Sequence, residues 1–214
     1  ALWILPGLLV LPLIGWIGDN HGFRWGMAVM VPVFLVGGLL IASVGKVIDT
    51  LLRNDLVLVL HQKGSHGPAY AKRYPAKFGR FGPVCDAADF EKCSSESITA
   101  AYDNTILYTD YFLNKTIEAL RAMADGQDAD TAMLYFSDHG ESLGENNVYL
   151  HGTPYMFAPR EQTEVPMMLW MSEGFSERFR IDRRCMAARS SEPLSHDNVF
   201  HSVLGMLDVN TAVL

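Results

Sequence analysis

Ala132-Met133-Leu134-Tyr135-Phe136-Ser137-Asp138-His139-Gly140-Glu141-Ser142 is the stretch that decides the fold. Its first five residues are aliphatic or aromatic throughout, the pattern of a strand covered on both faces. At the strand's end a carboxylate and an imidazole stand side by side. Both are ligands for a hard-to-borderline cation such as zinc. Gly140 lets the backbone turn away and leaves such a site open. Enzymes that transfer phosphoryl or sulfuryl groups need a metal there to hold an oxyanion and activate a nucleophile. Taken alone, the pair also suits a capping Asp138 and an ordinary surface His139.

Two further histidine clusters lie on either side. His61-Gln62-Lys63-Gly64-Ser65-His66-Gly67-Pro68 follows the apolar run Leu56–Leu60, and Tyr149-Leu150-His151-Gly152 follows the central motif. Of seven histidines, four (His61, His66, His139 and His151) sit beside glycines at the ends of apolar segments. In an open α/β sheet that edge is where ligands bind. Each histidine taken singly also suits a ring satisfied by a backbone carbonyl. A third apolar run, Val165–Met171, completes the set. The expected fold is α/β, with 56–60, 132–136 and 165–171 as neighbouring central strands in an incomplete sheet with an exposed edge.

The 214 residues allow one globular domain plus membrane spans, and the net charge of −7 argues against a nucleic-acid partner. Mean hydropathy is +0.11, raised by the first 45 residues. Residues 1–18 and 25–45 carry no charge and are each about long enough to span a bilayer as a helix. Trp3, Trp16 and Trp25 stand near their ends, where aromatic belts form. A signal peptide led by Arg24 competes for the second span, but its apolar stretch is long for that role. Apolar residues at three- and four-residue steps predict one helix over 97–124. Residues 62–95, rich in Gly, Pro, Lys and Ser, read as a long loop, and Ser195 suits the cap of a last helix near 196–207.

Four strings, LHQKGSHGPAYAKRYP (60–75), SITAAYDNTILYTDYF (97–112), YFSDHGESLGEN (135–146) and YLHGTPYMFAPREQTEVPMMLW (149–170), closely resemble the phosphoethanolamine transferases. These inner-membrane enzymes modify lipid A and include the mobile colistin-resistance enzymes. The likeness covers about residues 50–210, with the motifs in the family's order. It implies an alkaline phosphatase/sulfatase-like mixed sheet flanked by helices. Two transmembrane helices within residues 1–49 would precede a partial periplasmic catalytic domain at 50–214. It implies a monomer in the bacterial inner membrane, with phosphatidylethanolamine and lipid A as partners and zinc as cofactor. Asp138 and His139 then correspond to zinc ligands. His66 and His151 correspond to histidines holding the phosphoryl group or a second zinc. His61 is placed to orient substrate or a ligand, and Glu141 to fix the turn. Lys63 suits either a lipid phosphate or solvent. Cys85 and Cys93 have the spacing of a family disulfide, which implies an oxidising compartment; free thiols in a cytosolic loop are the other reading. Cys185 has no evident partner.

The same resemblance implies a strand bearing a metal-binding glutamate and a helix N-terminus carrying a threonine nucleophile. Neither is found. After Gly45 the chain runs through Lys46-Val47-Ile48-Asp49-Thr50 into Leu56–His61, and Thr50 is not in the nucleophile's context. The nucleophile is therefore unknown, and a transferase inactive as written is expected. A remnant that at most binds zinc or phospholipid head groups, or another sulfatase-superfamily hydrolase or phosphoglycerol transferase, are the alternatives. The start at Ala1 reads as processing, trimming or a fragment.

Overall fold

The computed structural model describes residues 29–31, 56–127 and 129–212. The first expected span lies outside these, as does most of the second. Where the second is described, it departs from expectation. Val29–Val31 is strand β1, paired parallel with β2, Leu58–Leu60, in the register Val29↔Leu58 to Val31↔Leu60. Two β-branched valines in three residues favour extended backbone, and β2 supplies the hydrogen-bonding partner. Among the described residues no helix is long and apolar enough to cross a membrane.

Strand β3, Ala132–Phe136, forms as expected, but β2 is not its neighbour. β3 pairs antiparallel with β6, Met167–Met171, from Ala132↔Met171 to Phe136↔Met167. A third pair joins β4, Ser142–Leu143, to β5, Tyr149–Leu150. The expectation of three neighbours in one sheet is thus corrected to separate two-stranded sheets among the described residues. An apolar run says that a strand is buried, not which strand it pairs with. Burial is also less than expected: Phe136, Met167 and Met168 are 37%, 37% and 41% exposed, so the pair is incomplete and open.

The base of that pair is locked by Ser172. Its Oγ accepts from Thr131 N at 3.1 Å and Phe175 N at 3.2 Å, while its own N–H donates to Thr131 O at 2.8 Å. One buried hydroxyl therefore closes the ladder and caps the short helix that follows. At the other end Ser137 N donates to Pro166 O at 3.3 Å, carrying the pairing up to Asp138.

Helix α1, Ser95–Gln127, is the long helix the periodicity predicts, with slightly wider bounds. Ser94 starts it, its Oγ accepting from Ser97 N at 3.2 Å. Ile98 and Ala101 on α1 are buried against Tyr70 and Cys85, with Phe90, Tyr102, Leu143 and Leu150 packed around them. The core therefore sits between the first turns of α1, the 67–93 loop and the β4–β5 hairpin. Burying a side chain such as Ile98 contributes roughly 1.5–3 kcal/mol. The loop is not featureless: short helical turns at Tyr70–Lys72, Ala76–Phe78 and Phe90–Lys92 line it. Asn104, fully buried on α1, holds it by accepting from Arg80 N and Phe81 N and donating to Tyr74 Oη and Phe81 O. The Cys85–Cys93 disulfide is formed, and Cys185 is free and exposed.

Four further helices complete the described chain: α2 Arg160–Thr163, α3 Glu173–Arg178, α4 Arg183–Ala188 and α5 Asp197–Met206. Ser195 caps α5 reciprocally, its Oγ accepting from Asp197 N at 3.0 Å while its N–H donates to Asn198 Oδ1 at 2.9 Å. Beside that cap, His196 Nε2 donates to Ser137 O at 2.8 Å and so ties α5 to the end of β3.

Candidate functional site

Three loops converge beyond the ends of β2, β3 and β5, and each brings one histidine. His66 is set by a turn in which its N–H donates to Lys63 O at 3.2 Å, and Arg73 Nε donates to its carbonyl at 2.9 Å. His139 follows β3, with Ser137 Oγ donating to its carbonyl at 2.8 Å. His151 follows β5, between Leu150 at φ +63° and Gly152 at φ +99°. One nitrogen from each of the three rings lies within 4.8 Å of those of the other two. Ring centroids are 4.0 Å apart for His139 and His151, 4.7 Å for His66 and His151, and 5.6 Å for His66 and His139.

The hydrogen bonds of the rings decide what the site can hold. His66 Nδ1 lies 2.7 Å from Gly67 O, and His139 Nδ1 lies 3.0 Å from Gly140 O. A carbonyl oxygen only accepts, so Nδ1 carries the proton in both rings and Nε2 keeps its lone pair. His151 Nδ1 lies 3.0 Å from Glu141 Oε1, which imposes the same tautomer. Each imidazole thus has an oxygen behind it and a free nitrogen in front, the arrangement that fixes metal-ligating histidines. Nitrogens around a tetrahedral zinc stand about 3.3 Å apart, given bonds of ~2.0–2.1 Å. One nitrogen from each ring lies within 4.8 Å of the other two, close to that spacing, so the three histidines fit a metal ion.

Glu141 organises the site from beneath. Only 7% exposed, it accepts from Gly67 N at 3.0 Å, Tyr70 Oη at 2.9 Å and His151 Nδ1 at 3.0 Å. One carboxylate therefore binds the His66 loop, the core and His151 together, and the three donors offset the cost of burying it. Burial first, and then the negative charge of Glu141, push the Tyr70 hydroxyl far above its ordinary pKa. Tyr102 is raised by the same two causes. Gln162, also buried, joins the remaining loops. Its Nε2 donates to Ser142 Oγ at 3.0 Å, its Oε1 accepts from Thr153 N at 3.3 Å, and its carbonyl accepts from Gly140 N at 3.0 Å. Gly140 is required less for an open turn than for close approach, because a Cβ there would collide with the Glu161 carbonyl.

Not every residue singled out in the sequence joins the group. Asp138 stands at the rim: its side chain is 76% exposed, with Oδ2 3.9 Å from His139 Nε2, and it is outside the three-histidine set. His61 and Lys63 are exposed, and His61 is not part of the set either. Thr50 lies outside the described residues. Tyr70 and Gln162 were not anticipated. A tyrosine four residues past His66 and a glutamine in a polar turn carry no signal of their own until the fold brings them to Glu141 and Ser142.

Among curated proteins, the chain is 47% identical over 161 residues to phosphoethanolamine transferase EptA of Salmonella typhimurium, covering 75% of this chain. It is 43% identical over 155 residues to phosphatidylethanolamine transferase Mcr-1 of Escherichia coli, covering 72% of this chain. It spans 29% and 27% of the lengths of those two relatives. Among solved structures, it superposes on the C-terminal periplasmic domain of phosphoethanolamine transferase EptC from Campylobacter jejuni with a TM-score of 0.72. That match has 40% identity and covers 82% of this chain and 54% of that one. The soluble domain of lipooligosaccharide phosphoethanolamine transferase A from Neisseria meningitidis gives a TM-score of 0.71. Its identity is 42%, over 78% of this chain and 50% of that one. The described domain accordingly has the alkaline phosphatase/sulfatase-like fold. The sulfatase family's sequence pattern matches residues 39–209, and the chain belongs to that family.

Proposed function

We propose that the protein carrying this chain moves phosphoethanolamine from phosphatidylethanolamine to a phosphate of lipid A, at a zinc site facing the periplasm from the bacterial inner membrane. The observation that carries this reading is the set of three histidines, each with Nδ1 bonded to an oxygen and Nε2 free. The similarity to transferases named for phosphoethanolamine and lipid A gives the reaction class. The reaction has two displacements. A threonine oxygen attacks the donor phosphorus and the P–O bond to diacylglycerol breaks; a lipid A phosphate oxygen then attacks the same phosphorus and the threonine is released. Zinc held by His66, His139 and His151, with Asp138 at the rim beside His139, would lower the nucleophile's pKa and neutralise charge on the phosphoryl oxygens. Glu141 keeps His151 in the tautomer whose Nε2 can ligate. Residues 1–18 are proposed as a membrane anchor.

The nucleophile is not assigned, and this favours a second reading. The only threonine between the apolar N-terminal segment and Leu56 is Thr50, outside the family's context. The chain alone then binds metal and head group but transfers nothing. Mass spectrometry of lipid A separates the two readings. Cells would express the chain itself, or a chimera in which the N-terminal part of Salmonella EptA precedes residues 56–214. A phosphoethanolamine mass increment from the chimera only, lost with His139→Ala or His151→Ala, is expected. An increment from neither would overturn the transferase reading. An increment from the short chain would overturn the second reading and make Thr50 the first residue to replace.

A further inference from the structure

Close to the histidines, the chain exposes apolar side chains that no feature of the site uses. Tyr155, Met156 and Phe157 are 88%, 80% and 74% exposed, more than any other large apolar residue described. They are consecutive, and a tight turn holds them outward: Phe157 N donates to Pro154 O at 2.8 Å and Ala158 N to Tyr155 O at 3.3 Å. Pro154 and Pro159 stiffen both flanks. Only Gly152, Thr153 and Pro154 separate the tip from His151 of the candidate site. Thr153 N is in turn fixed by Gln162, so the tip is carried on the same scaffold as the histidines.

The charge around the tip narrows what it meets. Residues 149–159 contain no Asp, Glu, Lys or Arg. The first charge beyond them, Arg160, is paired with Glu164 at 2.6 Å. An anionic surface would be sought by free lysines and arginines, and this segment offers none while the whole chain carries −7. A neutral tip with two aromatic rings and a thioether instead suits the interfacial layer of a zwitterionic bilayer, where aromatic side chains partition favourably. We infer that Tyr155, Met156 and Phe157 dip into the interface of a zwitterionic phospholipid membrane, setting the depth from which a lipid head group reaches His66, His139 and His151. This rests on the transfer reading for what the head group does there, but not for the docking itself.

Oxidative footprinting tests it on the full chain. Methionines are oxidised by a dilute water-soluble oxidant with and without phosphatidylethanolamine/phosphatidylcholine vesicles, and sulfoxide is counted peptide by peptide. Met156 should slow severalfold with vesicles, insensitively to added salt, while Met186, 46% exposed on α4, keeps its rate. The protection should vanish in Tyr155→Ser/Phe157→Ser and persist in His139→Ala. If the protection is seen while the EptA chimera gives no lipid A modification, docking stands and the transfer reading fails. Unchanged Met156 oxidation, equal slowing of Met186, or protection that requires anionic lipid would overturn the inference. Protection without vesicles as protein concentration rises would assign the tip to a second copy of the chain and overturn it as well.

Discussion

Glu141 Oε1 and His151 Nδ1 are 3.0 Å apart, and the carboxylate is nearly buried while the imidazole remains one-third exposed. The pair spans the boundary between core and site. On the buried side Glu141 also receives Tyr70 Oη and Gly67 N, so the ring position and the packing of the core are coupled through one side chain.

That coupling separates two substitutions. Glu141→Ala strands three donors, and breaking a buried network of this kind costs about 3–5 kcal/mol. Glu141→Gln keeps one acceptor oxygen but turns an amide N–H₂ toward a group that also donates, so it should cost less than Ala but more than a surface change. Zinc affinity should fall about 10–100-fold in Gln as His151 loses its orientation. Thermal unfolding and zinc calorimetry on the two variants check this; an unchanged zinc affinity in Gln would remove Glu141 from the positioning role.

Tyr70 supplies a pH dependence with a definite sign. Its folded-state pKa lies above the ordinary value of 10.0, because burial and the Glu141 charge disfavour phenolate. The folded chain therefore binds that proton more tightly than the unfolded one, and the stabilisation is fully present below about pH 10 and is lost as pH rises above it. Alkaline unfolding should release Tyr70 and Tyr102 as phenolate together with loss of structure, seen as coincident changes in tyrosine absorbance and circular dichroism. Tyr70→Phe leaves Glu141 one donor short, which costs about 1–2 kcal/mol at neutral pH and flattens the alkaline limb.

The proposed metal-binding set is tested by removing its members singly. His66→Ala, His139→Ala and His151→Ala should each weaken zinc binding strongly, with chelator reversing the binding in the intact chain. Asp138→Ala should weaken it less, because that carboxylate is largely in water at the rim. Isothermal titration of all four variants ranks them; an Asp138→Ala loss as large as that of the histidines would place the metal outside the three-ring group.

Some of this was legible in the sequence, for physical reasons that differ by element. Helix α1 was readable because Ile98, Ala101 and Thr105 repeat at helical spacing. Strands β3 and β6 were readable as apolar runs, but their antiparallel pairing and the parallel β1–β2 pair were not, since register and partner are set by tertiary contacts. The three site histidines each precede a glycine, which marked them. Two of them bond the carbonyl of that same glycine, a local relation that sequence could suggest; the third reaches Glu141 instead, which only the fold determines. Asp138 was read with His139 as a metal ligand, but the fold leaves its side chain 76% exposed at the rim, a solvent exposure that residue type does not encode.

Gly140 tests whether the approach of two backbones, rather than chain flexibility, holds the Asp138–His139 turn in place. A methyl at this position would meet the carbonyl oxygen and carbon of Glu161 and the Cα of Gln162, all backbone atoms that cannot rotate aside. Gly140→Ala must therefore push the turn off α2 and weaken the Gly140 N to Gln162 O bond. Overpacking of this kind costs about 1–3 kcal/mol, and His139 should move with the turn, so zinc affinity should fall along with stability. Gly126, near the end of α1, is the control, because a methyl there meets nothing within 4 Å. Gly126→Ala should stabilise the chain by about 0.5–1 kcal/mol through helix propensity alone and leave zinc binding unchanged. If the two alanines behave alike in unfolding and in zinc titration, the turn is held by something other than its contact with Glu161.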